Sequence, residues 1–178
     1  MMDPLILTMG DKTPKIAEGV FLAPGAVVAG DVTLARGVSL WYHSVVRGDA
    51  SSVEMGEDSN LQDGCVIHAD PGFPAVIGAR VTIGHRAVIH GARIEDDVLI
   101  GMGAIVMNGA VVRSGSIVAA GAVISQGVEV PSGSLMAGVP GRVLRAARPS
   151  DAAAIAHGAQ EYLRLTKEHR AALSRVQH

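Results

Sequence analysis

One spacing governs this sequence. An aliphatic residue returns at every sixth position through Ile16, Leu22, Val28, Leu34, Leu40 and Val46, resumes at Met55, Leu61 and Ile67 and again at Ile77, Ile83 and Ile89, and then runs from Ile94 through Ile100, Val106, Val112, Val118 and Ile124 to Val130. Four residues after a rung comes a second small residue, as at Ala26, Val38, Ser44, Cys65, Val81, Ala87, Ala104 and Ala122. An α-helix needs apolar returns at three and four residues, and an ordinary strand needs alternation, so neither accounts for a period of six. Short strands joined by corners do: each rung points inward, its neighbours outward, and three hexads close one triangular coil. A composition with 22 glycines and 48% hydrophobic but only 3% aromatic residues fits, because corners need conformations that a Cβ penalises and the interior is filled by small aliphatic groups.

The ladder resembles the left-handed parallel β-helix of hexapeptide-repeat proteins, an all-β solenoid, from about Ile16 to Val130. The hand comes from the resemblance, since general chirality favours right-handed crossovers. The expected organisation is a β-helix domain over residues 1–146 and a helical appendage over 147–178 packed on it. Ser150 is the expected N-cap of an α-helix from about Asp151 to Arg175, with Ile155, Ala159, Tyr162, Leu163, Thr166 and Leu173 along one face. Pro131, Pro140 and Pro149 mark the exit from the ladder.

Charge excludes some partners. Lys and Arg number 15 against 17 Asp and Glu, a net charge of −2 with no like-charge block, so nothing marks a nucleic-acid or acidic-membrane surface. A mean hydropathy of +0.32 does not signal a membrane span either: the apolar stretch Val98 to Met107 contains two glycines and stops at Asn108, short of the ~18–20 residues a spanning helix needs. The start, MMDPLILTMGDKTPK, has no basic segment ahead of its apolar residues and reads as neither signal peptide nor anchor, so the cytoplasm is expected. Cys65 is the single cysteine, so a thiolate cluster is excluded and any metal is left to histidines or carboxylates.

The ladder has three faults: nine residues from Val46 to Met55, ten from Ile67 to Ile77 and five from Ile89 to Ile94. All lie among histidines. Solenoids tolerate an insertion readily, but three faults around one constellation point to a site. With each insertion counted as a bulge that skips no side, Val46, Ile67 and Ile89 share one side of the prism. Arg47, His68 and His90 each follow such a rung and project outward as a column, with coils ~4.8 Å apart, so His68 and His90 can share a metal ion. His85 lies two residues past Ile83, on another side and above Asp63. Its own chain cannot easily bring it to that ion, but a neighbour related by a threefold axis can. Three imidazoles leave a fourth position open, the arrangement of catalytic zinc. His43, His157, His169 and His178 have no such partners and read as surface residues.

The ordered wording Trp41, Arg47-Gly48-Asp49, Asn60-Leu61-Gln62-Asp63-Gly64, Val66-Ile67-His68, Gly84-His85, His90-Gly91 and Gly101-Met102-Gly103 resembles the γ-class carbonic anhydrase family over nearly the whole chain. The resemblance implies a homotrimer with Zn2+, or Fe2+ in its place, held by His68 and His90 of one subunit and His85 of the next, and CO2 and bicarbonate as substrate and product. It also implies that Arg47 and Asp49 form an ion pair between subunits beside the site. Gln62 matches the residue that orients the water on the metal, and Asp63 matches an acid behind the ligands, where a carboxylate fixes a ligand imidazole. The sequence departs from the family's archaeal prototype in lacking the acidic loop between the first two ligands: Asp70 to Gly84 carries only Asp70 and Arg80 as charges, and Ala50 stands where the prototype has a glutamate. The resemblance is therefore to short-loop members, and slow hydration is expected.

Two other classes share the scaffold. A hexapeptide acyltransferase or a metal-dependent thioesterase would act on coenzyme A esters; the former needs one catalytic histidine and leaves the other two without work, whereas the latter keeps the metal. A non-catalytic trimeric scaffold would leave Arg47, Gln62 and Asp63 without a role.

Overall fold

The rungs stack in three columns. In the computed structural model, which describes residues 3–175, Val28, Val46, Ile67, Ile89, Val106 and Ile124 pair in register on successive parallel strands of one face. Ile16, Leu34, Met55, Ile77, Ile94, Val112 and Val130 form the second column. Leu22, Leu40, Leu61, Ile83, Ile100, Val118 and Met136 form the third. The result is a left-handed β-helix of about seven turns with one helix after it. The ladder runs one rung beyond Val130, because the strand Ser134–Ala137 continues the third face and puts Met136 inside.

Most rungs and most of the small residues four positions later have no solvent exposure, and together they make one continuous core. The polar members of that set are satisfied. Ser44 Oγ donates to Trp41 O at 2.7 Å, and Ser59 Oγ to Gly78 O at 2.8 Å. A hydroxyl at an inner corner therefore costs little.

The three faults are where the regular path breaks. The strand Val45–Met55 carries the nine-residue step around a corner, and its pairing with Val27–Leu34 shifts register between Gly30 and Val32, which leaves Asp49 in the bulge. The ten-residue step is a tight excursion after His68, closed by an antiparallel bridge between Asp70 and Phe73. The five-residue step contracts at Gly91, where φ is +54°. A Cβ there would stand 2.3 Å from Asn108 Oδ1 and 2.7 Å from Phe73 Cβ, so only glycine fits.

The helix α1 spans Pro149–Leu173. Its N-cap is Arg148, in extended conformation, and not the expected Ser150: Pro149 occupies the first helical turn, and Asp151 Oδ2 accepts the Arg148 N–H at 2.6 Å. The Arg145 guanidinium on Asp151, with that backbone donor, holds the carboxyl down at about 2. Ile155 and Ala159 are buried, and Tyr162, Leu165 and Leu173 pack on Phe21 and Trp41. The Tyr162 ring meets Trp41 edge-on with centroids 5.0 Å apart. Leu163, half-buried, lines a cleft between the helix and the β-helix with Ala159, Asp58, Arg80 and Asp97. His169 is not a free surface residue: it shares a hydrogen bond of 2.9 Å with the Tyr42 hydroxyl and packs edge-on against Trp41. His43 and His157 are exposed, and His178 lies outside the described residues.

Candidate metal centre

Parallel pairing sets Arg47, His68 and His90 side by side on one face, each one residue past a buried rung. His68 Nδ1 stands 2.9 Å from His90 Nε2. The outer ring nitrogens face oxygen: His68 Nε2 is 3.0 Å from Asp49 Oδ1, and His90 Nδ1 is 2.8 Å from Asn108 Oδ1. A carboxylate or amide oxygen only accepts, so these partners assign the ring proton to the outer nitrogen of each histidine. Two lone pairs then face each other at 2.9 Å, an arrangement that repels until a cation stands between them. Two nitrogens on one tetrahedral zinc stand ~3.3 Å apart. A widening of about 0.4 Å would bring this pair to that separation, so the donor set fits a metal ion.

Asp49 is tied down on its other side. Arg47 Nη1 donates to Asp49 Oδ2 at 2.5 Å, and this guanidinium, with the His68 bond, holds the carboxyl at about 2 against its partial burial. Within the chain Arg47 reaches Asp49, because the bulge turns Asp49 back toward the column. The Asp49 carboxylate is thus ionised at neutral pH and aimed at His68.

His85 lies on the face of Leu61 and Ile83 and does not meet His68 or His90 within the chain. Asp63 Oδ2 stands 2.9 Å from its Nδ1 as an ion-pair contact, and Asp63 Oδ1 accepts the Tyr42 N–H at 3.1 Å. Asp63 thus lies beside Nδ1, and Nε2 is the other nitrogen of the ring. Gln62 is buried next to it and already engaged: its Oε1 accepts the His85 N–H at 3.1 Å, and its Nε2 donates to Asn60 Oδ1 at 3.3 Å. Gln62 therefore fixes the turn that carries His85 and has one amide hydrogen left for anything outside the chain.

Both half-sites open outward beside exposed apolar side chains. His85 lines a shallow concavity with Asp63, Arg86 and Met102, and His90 lines another with Asp70, Ile105, Met107 and Asn108. Met102, Ile105 and Met107 are 58%, 38% and 42% exposed. Cys65 takes no part: it is buried with Sγ on Gly84 O at 3.0 Å, and burial pushes its thiol up to about 12.

Two residues of the centre escape a reading of histidines and their neighbours. Asn108 contacts His90, and Asp70 Oδ2 accepts Asn108 Nδ2 at 2.9 Å. A signal for Asn108 exists: it is the polar residue that ends an apolar stretch, two positions past the rung Val106, on the coil after His90. Asp70 has none, since it sits in the excursion that the six-residue period does not describe.

Two family models match the middle of the chain, bacterial transferase hexapeptide (six repeats) over residues 91–126 and hexapeptide repeat of succinyl-transferase over residues 74–107. A probable carbonic anhydrase of Methanocaldococcus jannaschii is 55% identical over 152 residues, covering 85% of this chain and 96% of that protein. Gamma carbonic anhydrase 1, mitochondrial, of Arabidopsis thaliana is 40% identical over 93% of this chain, which spans 62% of the plant protein's length. Among solved structures, a putative acetyltransferase of Bacillus cereus superposes with a TM-score of 0.92 at 32% identity, over 94% of this chain and 98% of that one.

Proposed function

The chain belongs to the γ-class carbonic anhydrase family of hexapeptide-repeat proteins, and from that membership we propose that it hydrates CO2 reversibly at a metal site shared between the subunits of a homotrimer. His68 and His90 of one subunit and His85 of the next would hold the ion. The observation that carries this reading is the 2.9 Å approach of His68 Nδ1 to His90 Nε2 with each ring's outer nitrogen on an oxygen, matched on a different face by His85 with Asp63 2.9 Å from its Nδ1. Zinc, with iron as the alternative, supplies Lewis acidity that makes hydroxide available from water near neutral pH, an effect for which carbonic anhydrase is itself the standard case.

The chain's own residues do the positioning. Asp49 and Asn108 fix the two histidines of one face through their outer nitrogens, and Asp63 fixes His85. Arg47 holds the Asp49 carboxylate in place, and that carboxylate, which can only accept, keeps the His68 proton on the outer nitrogen. Gln62 holds the His85 turn and has one amide hydrogen left that it would offer to the reacting water. Met102, Ile105 and Met107 close around the site when a neighbour's face meets them, excluding bulk water. Between Asp70 and Gly84 no glutamate is present to carry protons away, so proton export limits turnover and an added imidazole buffer accelerates it. No helix among the described residues is long and apolar enough to cross a membrane, and we place the protein in the cytoplasm.

The names of the solved neighbour and of the family models favour a second reading, acyl transfer; we keep thioester hydrolysis on coenzyme A esters beside it, because that chemistry would use the same metal. Stopped-flow CO2 hydration by zinc- and iron-loaded protein, run beside an acyl-coenzyme A panel, separates the two. Hydration above the buffer background with no turnover of thioesters is the expected result. Thioester turnover without hydration would replace the anhydrase reading.

A further inference from the structure

His68, Asp70 and His90 lie close enough to suggest a metal site made of two histidines and a carboxylate within one chain, their ligand atoms all within 4.8 Å of one another. The detailed contacts argue against it. Asp70 Oδ2 is 3.9 Å from His90 Nδ1, the nitrogen turned away from His68, and it is occupied by the Asn108 amide. Asp70 stands behind His90, with Asn108 between them.

That placement decides which way the Asn108 amide faces. The Asp70 carboxylate can only accept, so Asn108 must give it the NH2 group, at 2.9 Å. Its oxygen is then left for His90 Nδ1 at 2.8 Å. The opposite amide orientation would set oxygen against oxygen at Asp70 and would turn an N–H on His90 toward His68, where a ligand lone pair is needed. The approach itself depends on Gly91, since a Cβ there would stand 2.3 Å from Asn108 Oδ1.

We infer that Asn108, oriented by Asp70, is a positioning residue that sets the tautomer of His90 and so prepares its Nε2 as a metal ligand. The inference rests on the metal reading of His90, but half of its test needs no metal. In metal-free protein, long-range 1H–15N spectra should find the wild-type His90 protonated on Nδ1, and Asn108→Ala should shift it toward the Nε2–H form. Competition with a chromogenic chelator should show Asn108→Ala binding zinc about 10–100-fold more weakly than wild type. The double variant Asp70→Asn with Asn108→Asp reverses the pair while keeping an oxygen acceptor on His90 Nδ1, and it should recover affinity to within a few-fold of wild type. A side chain that merely fills space would not distinguish this swap from Asn108→Asp alone, which sets two carboxylates against each other and should bind worse than the swap.

An unchanged tautomer in Asn108→Ala, or a swap no better than Asn108→Ala, overturns the inference. If wild type takes up no zinc at all, the metal reading fails by itself, and the tautomer shift still decides the role of Asn108.

Discussion

Replacing Gly84 by alanine tests how tightly the coils hold His85. A Cβ on Gly84 would stand 2.7 Å from the Met102 backbone nitrogen and 3.0 Å from Gly101 C and Ile100 O, all backbone atoms of the next coil. Restoring ordinary contact at ~3.4 Å requires the coils to part locally by about 0.7 Å. The Gly84 N–H to Ile100 O bond, now 2.8 Å, would then stretch to about 3.5 Å and cease to count as one. Overpacking of ~1–3 kcal/mol and a lost buried hydrogen bond of ~1 kcal/mol sum to about 2–4 kcal/mol. The assay is urea unfolding at fixed protein concentration, with zinc content measured after dialysis. The midpoint should fall, and zinc should be lost because His85 follows Gly84 directly. Gly133→Asn is the control: nothing lies within 4 Å of a Cβ there, and asparagine tolerates its φ of +60°, so little should change. A Gly84→Ala midpoint equal to that of Gly133→Asn, with zinc retained, would refute the reasoning.

Other outcomes follow from the same contacts. Asp63→Ala should weaken zinc retention and leave the fold intact by circular dichroism, since it frees His85 Nδ1 without touching the core. Gln62→Ala removes the acceptor of the His85 N–H and should weaken zinc retention, and at full zinc loading it should still lower CO2 hydration by about one to three decades, measured by stopped flow. Asp151, held at about 2 by Arg145 and the Arg148 N–H, has a folded value below its unfolded ~3.9, so its contribution is present above that value and lost as pH falls toward 2. Acid titration followed at 222 nm should show α1 loosening between about pH 4 and 2, and Asp151→Asn should remove that step.

The rung spacing carries almost all of the architecture, because an inward aliphatic residue at every sixth position admits one assignment of faces. Counting each insertion as a bulge put Val46, Ile67 and Ile89 together, and the strand register agrees. The hand of the coil came from resemblance. What the spacing leaves out lies where the chain departs from it. Asp49 reaches His68 through a bulge, Asp70 turns back in a loop outside the period, and Asn108 meets His90 past Gly91, where a Cβ would stand 2.3 Å from its Oδ1. The helix start shows the same limit: Ser150 is the better cap by residue type, but Pro149 and the Asp151 carboxylate move the boundary to Arg148.

Subunit mixing tests the shared metal site most directly. One chain carries His85→Ala and the other carries both His68→Ala and His90→Ala, so neither alone has a complete ligand set. Refolded together in equal amounts into trimers, an interface is complete when its first face comes from the His85 variant and its second from the double variant. Random assembly makes this true for about one interface in four. The account predicts about 0.25 zinc per chain in the mixture, with CO2 hydration in proportion, and neither in the separate variants. No zinc in mixed trimers would contradict it, as would full zinc in the His85 variant alone.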